Sequence, residues 1–91
     1  MAKKNISGKT AVITGAASGI GRGLALALAE ERCTMLLADI NETGLTQTLE
    51  MVRQAGGNGE IFLCDVSKLD DVTKMADHCF NSWGKVDILI N

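Results

Sequence analysis

The sequence runs to 91 residues, 46% apolar and 22% charged, and its 9 Lys+Arg against 11 Asp+Glu give a net charge of −2. This balance suits one small globular domain, excludes disordered, collagen-like and coiled-coil chains, and carries no positive field to attract nucleic acid or an anionic membrane. One His and no Tyr leave neither a His-rich metal cluster nor a tyrosine for acid–base chemistry.

Taken in chain order, Thr10-Ala11-Val12-Ile13-Thr14 is a β-branched run ending at Gly15, the pattern of a strand buried on both faces. From Ile20 the apolar residues Ile20, Leu24, Ala27 and Leu28 recur at helical spacing, until Glu30-Glu31-Arg32 ends the run. Thr34 to Ala38 forms a second apolar strand closed by Asp39, and Leu45, Leu49 and Val52 mark a helix from about Glu42 to Ala55. Gly56-Gly57-Asn58-Gly59 has turn chemistry. Ile61-Phe62-Leu63 reads as a third strand stopping at Asp65, and Ser67 is placed to cap a helix with Asp70 and Asp71 in its first turn. The apolar face of that helix is Val72, Met75, Ala76, Cys79, Phe80 and Trp83, with Gly84 as its stop. Val86-Asp87-Ile88-Leu89-Ile90 is a fourth strand, leading into Asn91. The order βαβαβαβ predicts a parallel sheet with right-handed crossovers, the doubly wound α/β class.

No apolar run approaches the roughly 18 residues of a membrane span, and the start from Met1 to Lys9 holds no long apolar stretch, so a cytoplasmic protein is expected. Cys33, Cys64 and Cys79 are widely spaced with no C-x-x-C, and each is expected to be a small buried hydrophobe in a reducing compartment. Cys64 is the thiol to check for oxidation, because it precedes a candidate site residue. His78 stands beside Asp77 on the third helix without a second His, and is expected to face solvent. Gly8-Lys9-Thr10 imitates the end of a P-loop, but Lys3 occupies the position of the required glycine and the triplet precedes a strand rather than a helix.

The informative segment is Thr14-Gly15-Ala16-Ala17-Ser18-Gly19-Ile20-Gly21, at the junction of the first strand and first helix. Unpaired N–H groups and the positive end of a helix dipole meet there, and glycines let an anionic phosphate approach the backbone. Asp39 closes the next strand, eighteen residues after Gly21, close to the spacing of about 20 at which an acid can accept hydrogen bonds from adenosine ribose hydroxyls. A carboxylate there repels a 2′-phosphate, so NAD(H) is preferred over NADP(H), although Arg22, just past the loop, is placed to soften that preference unless it is only a solvated helix residue.

The G-x-x-x-G-x-G spacing with its preceding Thr resembles the signature of the short-chain dehydrogenase/reductase family. Asp65-Val66 is similar to the family's adenine contact, with the Asp65 carboxylate toward the exocyclic amine and the Val66 backbone toward a ring nitrogen. The segment from Val86 to Asn91 resembles the strand leading into the family's N-N-A-G motif, of which only the first Asn is present. The resemblance spans the whole chain and implies a Rossmann-like sheet of strand order 3-2-1-4, with residues 1–91 the N-terminal part of a single NAD(P)-binding domain. The cofactor-binding residues it implies are Gly15, Ser18, Gly19, Ile20, Gly21, Asp39, Ile40, Asp65, Val66 and Asn91, with no metal ligand and no catalytic residue among them. It further implies that a full-length parent, a homo-oligomer, transfers a hydride between NAD(H) and an alcohol or carbonyl substrate, using a Ser, a Tyr and a Lys downstream of Asn91. Ser7, Ser18, Ser67 and Ser82 all precede the position of that catalytic Ser, so these 91 residues alone are expected to be inactive. With this strand order two helices cover one face of the sheet and one the other, and the fourth strand is an exposed apolar edge.

Two other classes remain open on the sequence. The open edge suits a non-catalytic fragment that pairs with a full-length relative. An S-adenosylmethionine-dependent methyltransferase also places a glycine loop after its first strand, but the three-residue gap between Gly15 and Gly19 fits it less well.

Overall fold

The computed structural model describes residues 8–91, and Ser7 and the rest of the N-terminal segment lie outside the described residues. Its elements are β1 (Thr10–Thr14), α1 (Gly19–Glu30), β2 (Thr34–Asp39), α2 (Glu42–Gln54), β3 (Asn58–Leu63), α3 (Leu69–Trp83) and β4 (Ile88–Ile90). The four strands form one sheet in the order β3-β2-β1-β4. All three pairings are parallel: Val12 lies opposite Leu36 and Leu89, and Leu37 opposite Ile61. The chain steps outward twice from β1 and then returns past it, so right-handed crossovers put α1 and α2 on one face and α3 on the other.

Alternate strand residues feed two cores. Ala11, Ile13, Met35 and Leu37 pack with Ala25 and Ala29 of α1 and Leu45 and Val52 of α2. Val12, Leu36 and Ala38 pack with Met75 and Cys79 of α3 and with Cys64. All three cysteines are buried, and burial raises each thiol above its ordinary pKa. Among the described residues no helix is long and apolar enough to cross a membrane.

Several local expectations are corrected. The inward face of α1 is Ala25 and Ala29, flanked by Leu26 and Leu28, whereas Ile20, Leu24 and Ala27 are exposed. Residues 24–29 of α1 are apolar all round, so periodicity could not choose a face; the sheet selected the alanine ridge, which allows a close approach. Asn58 and Gly59 belong to β3 rather than to the turn, because they pair with Thr34 and Met35, and a Cβ on Gly59 would stand 2.4 Å from the Met35 carbonyl oxygen. Ser67 does not cap α3. Lys68 occupies the cap position without a side-chain bond, and the Ser67 hydroxyl donates instead to Asp65 Oδ1 at 2.6 Å. Ala76 and Phe80 are exposed despite their place in the α3 stripe, lining an apolar groove of about 250 Å³ with Val12, Val86 and Leu89. His78 does reach solvent, its side chain 36% exposed, but it also has partners, its Nε2 lying 2.9 Å from Glu60 Oε1 and its ring packing 5.4 Å from that of Phe62. β4 starts two residues later than expected because the Asp87 carboxylate accepts the Thr10 N–H at 2.9 Å and its hydroxyl at 3.1 Å.

Candidate functional site

The carboxyl ends of the strands meet the amino ends of the helices at one rim, and the switch between β1 and β4 falls within it. Along the loop from β1 to α1, Gly15 and Gly19 have φ of 66° and 56°, left-handed values that disfavour a side chain. Gly21 is needed for a different reason, since a Cβ there would fall 2.1 Å from the Gly15 carbonyl oxygen. Ser18 is the cap residue of α1 in extended conformation, yet its side chain makes no capping bond. The first-turn N–H groups of α1 therefore have neither helical acceptors nor a side-chain cap. A Cβ on Gly19 would meet nothing within 4 Å, so open space adjoins this first turn.

Asp39 stands at the end of β2, with both carboxylate oxygens oriented by backbone. Oδ2 accepts the Ala17 N–H and Oδ1 the Asn41 N–H, each at 3.1 Å. Gly15, Asp39, Ile40, Asp65 and Val66, together with Cys64, line one shallow pocket of about 160 Å³. Asp65 Oδ1 accepts both the hydroxyl and the N–H of Ser67, and these bonds hold its carboxyl below the ordinary carboxylate pKa. Ile20, Ile40 and Val66 are 83%, 72% and 60% exposed, an apolar rim around a polar floor. A second pocket, about 450 Å³, shares Val66 and adds Thr14, Val72, Met75 and Asn91. The Thr14 hydroxyl lies 3.2 Å from Asn91 Oδ1, tying the glycine loop to the end of β4. Five of the ten expected site residues thus line one pocket, four form the start of α1 and its cap, and Asn91 lines the neighbouring pocket. Among the described residues no group of His, Cys, Asp and Glu is arranged to hold a metal ion.

The family model described as short chain dehydrogenase matches residues 9–91. The chain belongs to this family. It is 41% identical over 90 residues to human epidermal retinol dehydrogenase 2, covering 98% of this chain and 29% of that protein. With the 7α-hydroxysteroid dehydrogenase of Escherichia coli (strain K12) it shares 34% identity over 86 residues, covering 94% of this chain and 34% of the relative. It also superposes on NAD+-bound xylitol dehydrogenase with a TM-score of 0.88 at 35% identity, covering 94% of this chain and 33% of that one. The chain thus spans about a third of the length of the curated relatives it matches, with 32%, 29% and 34% of their lengths covered. The family consists of oxidoreductases that use nicotinamide dinucleotides, and this membership leaves no place for the methyltransferase alternative.

Two charged residues of the chain make contacts at the site that their spacing in the sequence did not reveal. Arg22 is half-buried and turned back on the chain: its Nη2 lies 2.6 Å from the Ala17 carbonyl oxygen and 3.2 Å from that of Gly44, and its Nε donates to Thr48 Oγ1 at 2.9 Å. Asp71, expected only to favour the start of α3, accepts the Asp65 N–H at 2.9 Å and so fixes the adjoining pocket wall. The only advance signal for either was its charge in the first turn of a helix.

Proposed function

We propose that this chain supplies the adenosine- and pyrophosphate-binding part of a short-chain oxidoreductase that uses NAD(H) in preference to NADP(H). One observation carries the reading: the uncapped first turn of α1 opens onto free space beside the oriented Asp39 carboxylate. In this reading the N–H groups from Ser18 to Gly21 hold the pyrophosphate, with Gly15 and Gly19 shaping the turn. Asp39 accepts the ribose hydroxyls. Asp65 faces the adenine amine, Val66 offers its backbone to a ring nitrogen, and Ile40 and Val66 exclude water from the base. Ile20 and Asn91 border the approach to the far half of the dinucleotide. The fit is supported by what the residues leave unused, namely uncapped donors, an open cradle at Gly19 and an exposed apolar rim.

The nicotinamide, when bound, supplies or accepts the hydride for an alcohol or carbonyl substrate. This chain's residues bind and orient the dinucleotide, and with no tyrosine in its 91 residues it is expected to turn over no substrate alone. Titration with NADH and NADPH, followed by nicotinamide fluorescence, tests the reading. Tighter binding of NADH is expected; binding of neither ligand by the folded chain overturns the site, and an NADPH preference overturns the role of Asp39.

A second reading, pairing through the sheet edge, has one observation in its favour. Among the described residues β4 pairs on one side only, with β1, and Leu89 is 63% exposed. Co-purification with a full-length family member is its test, and absence of association sinks it.

A further inference from the structure

We infer that Arg22, backed by Thr48, is a positioning residue that holds the pyrophosphate loop in register; the inference rests on the dinucleotide reading above. Ala16 and Ala17, in the middle of the glycine loop, are 0% and 2% exposed, and every backbone polar group of the pair is satisfied within the chain. Ala16 N–H donates to the Ala38 carbonyl at 3.1 Å, and Ala17 N–H to Asp39 Oδ2. On the carbonyl side, Ala16 O accepts the Thr48 hydroxyl at 2.7 Å and Ala17 O accepts Arg22 Nη2 at 2.6 Å. The strands hold the two N–H groups, while the helices hold the two oxygens through side chains that are themselves joined at 2.9 Å.

The surroundings single out this tie. Thr48 is the only buried polar side chain among the described residues, at 0% exposure. α2 reaches the loop only because Gly44 lacks a side chain, since a Cβ there would stand 2.7 Å from both the Cβ and the carbonyl oxygen of Ala17. Arg22 lies in the first turn of α1, where a positive charge opposes the helix dipole. Its charged hydrogen bonds to carbonyl oxygens offset that cost, and its charge adds to the field that an anion meets at the same helix end. With Ala16 and Ala17 immobilised, the donors that follow them have a fixed position, and prior ordering of donors is what raises affinity for a rigid anion.

The test compares NADH and adenosine, a ligand without pyrophosphate, on the full 91-residue chain and on Arg22→Met, Arg22→Lys and Thr48→Val, with circular dichroism confirming the fold of each. Loss of a charged hydrogen bond predicts NADH binding weaker by about tenfold or more in Arg22→Met, with a several-fold smaller loss for adenosine. Arg22→Lys, which keeps the charge but not the two-pronged fork, recovers only part of the loss, and Thr48→Val shifts the NADH-to-adenosine ratio in the same direction as Arg22→Met. Unchanged NADH affinity in a folded Arg22→Met, equal losses for the two ligands, or complete rescue by Lys each overturns the positioning role. Should Arg22→Met fail to fold, Arg22→Lys and Thr48→Val decide: an unaltered ratio in both overturns it. A wild-type chain that binds no NADH instead overturns the dinucleotide reading itself.

Discussion

The two faces of the sheet are built from the same strands and protected unequally. On one, α1 and α2 seal Leu37, Leu45 and Val52 at 0% exposure. On the other, α3 alone covers Val12, Leu36 and Ala38 with Met75 and Cys79 and leaves Phe80 60% and Leu89 63% exposed. A helix is about 10 Å across and neighbouring strands stand about 4.8 Å apart, so a four-stranded face needs two helices. Stability and ligand binding should therefore depend mainly on the doubly covered face, where the glycine loop is also tethered.

The largest test of that contrast is Leu45→Ala against Leu89→Ala. The first removes buried surface from a sealed core and is expected to cost about 2–5 kcal/mol; the second, already exposed, should cost under about 1 kcal/mol. Urea unfolding measures both, and similar losses would break the contrast. Next is Gly19→Val, which places a β-branched side chain at a φ of 56° and in front of the first-turn donors. NADH affinity should fall by about a hundredfold, as expected for blocking close backbone approach, and a folded variant that binds normally would remove the loop from the site. Asp39→Ala sharpens the ligand side of the comparison: the NADH over NADPH preference should narrow by about tenfold, read by parallel titrations.

The smallest effect concerns the seam between covered and open sheet. The Thr10 N–H, the Thr10 hydroxyl and Lys85 hold the Asp87 carboxyl below its ordinary pKa of 3.8, as Ser67 does for Asp65. A folded-state value lower than the unfolded one means that this stabilisation is present in full above about pH 3.8 and fades as pH falls through the depressed values. The thermal midpoint should accordingly stay level down to that range and drop below it, and Asp87→Asn should flatten the drop. A profile identical to that of the wild type would remove Asp87 from the seam.

Much of the site was legible because its parts are local. Thr14 to Gly21 encodes its own turn, and Asp39 announces itself by closing an apolar strand, so neither needed a partner to be read. The contacts of Arg22, Asp71 and His78 were not legible because each acts on a group far along the chain or across a loop: Thr48, the Asp65 N–H and Glu60. Ser67 differs in kind, since its hydroxyl is taken by Asp65 two residues away, a local competition with the capping role.

By itself the sequence determined the alternation of strands and helices and the position of the glycine loop, since strand runs, helix stops and backbone freedom are properties of neighbouring residues. Only the tertiary structure decided which ridge of α1 meets the sheet, which side chains hold the loop from behind, and which half of the α3 stripe stays open. Those outcomes depend on what stands opposite each residue, and in a parallel sheet the opposite residue is always distant in the chain.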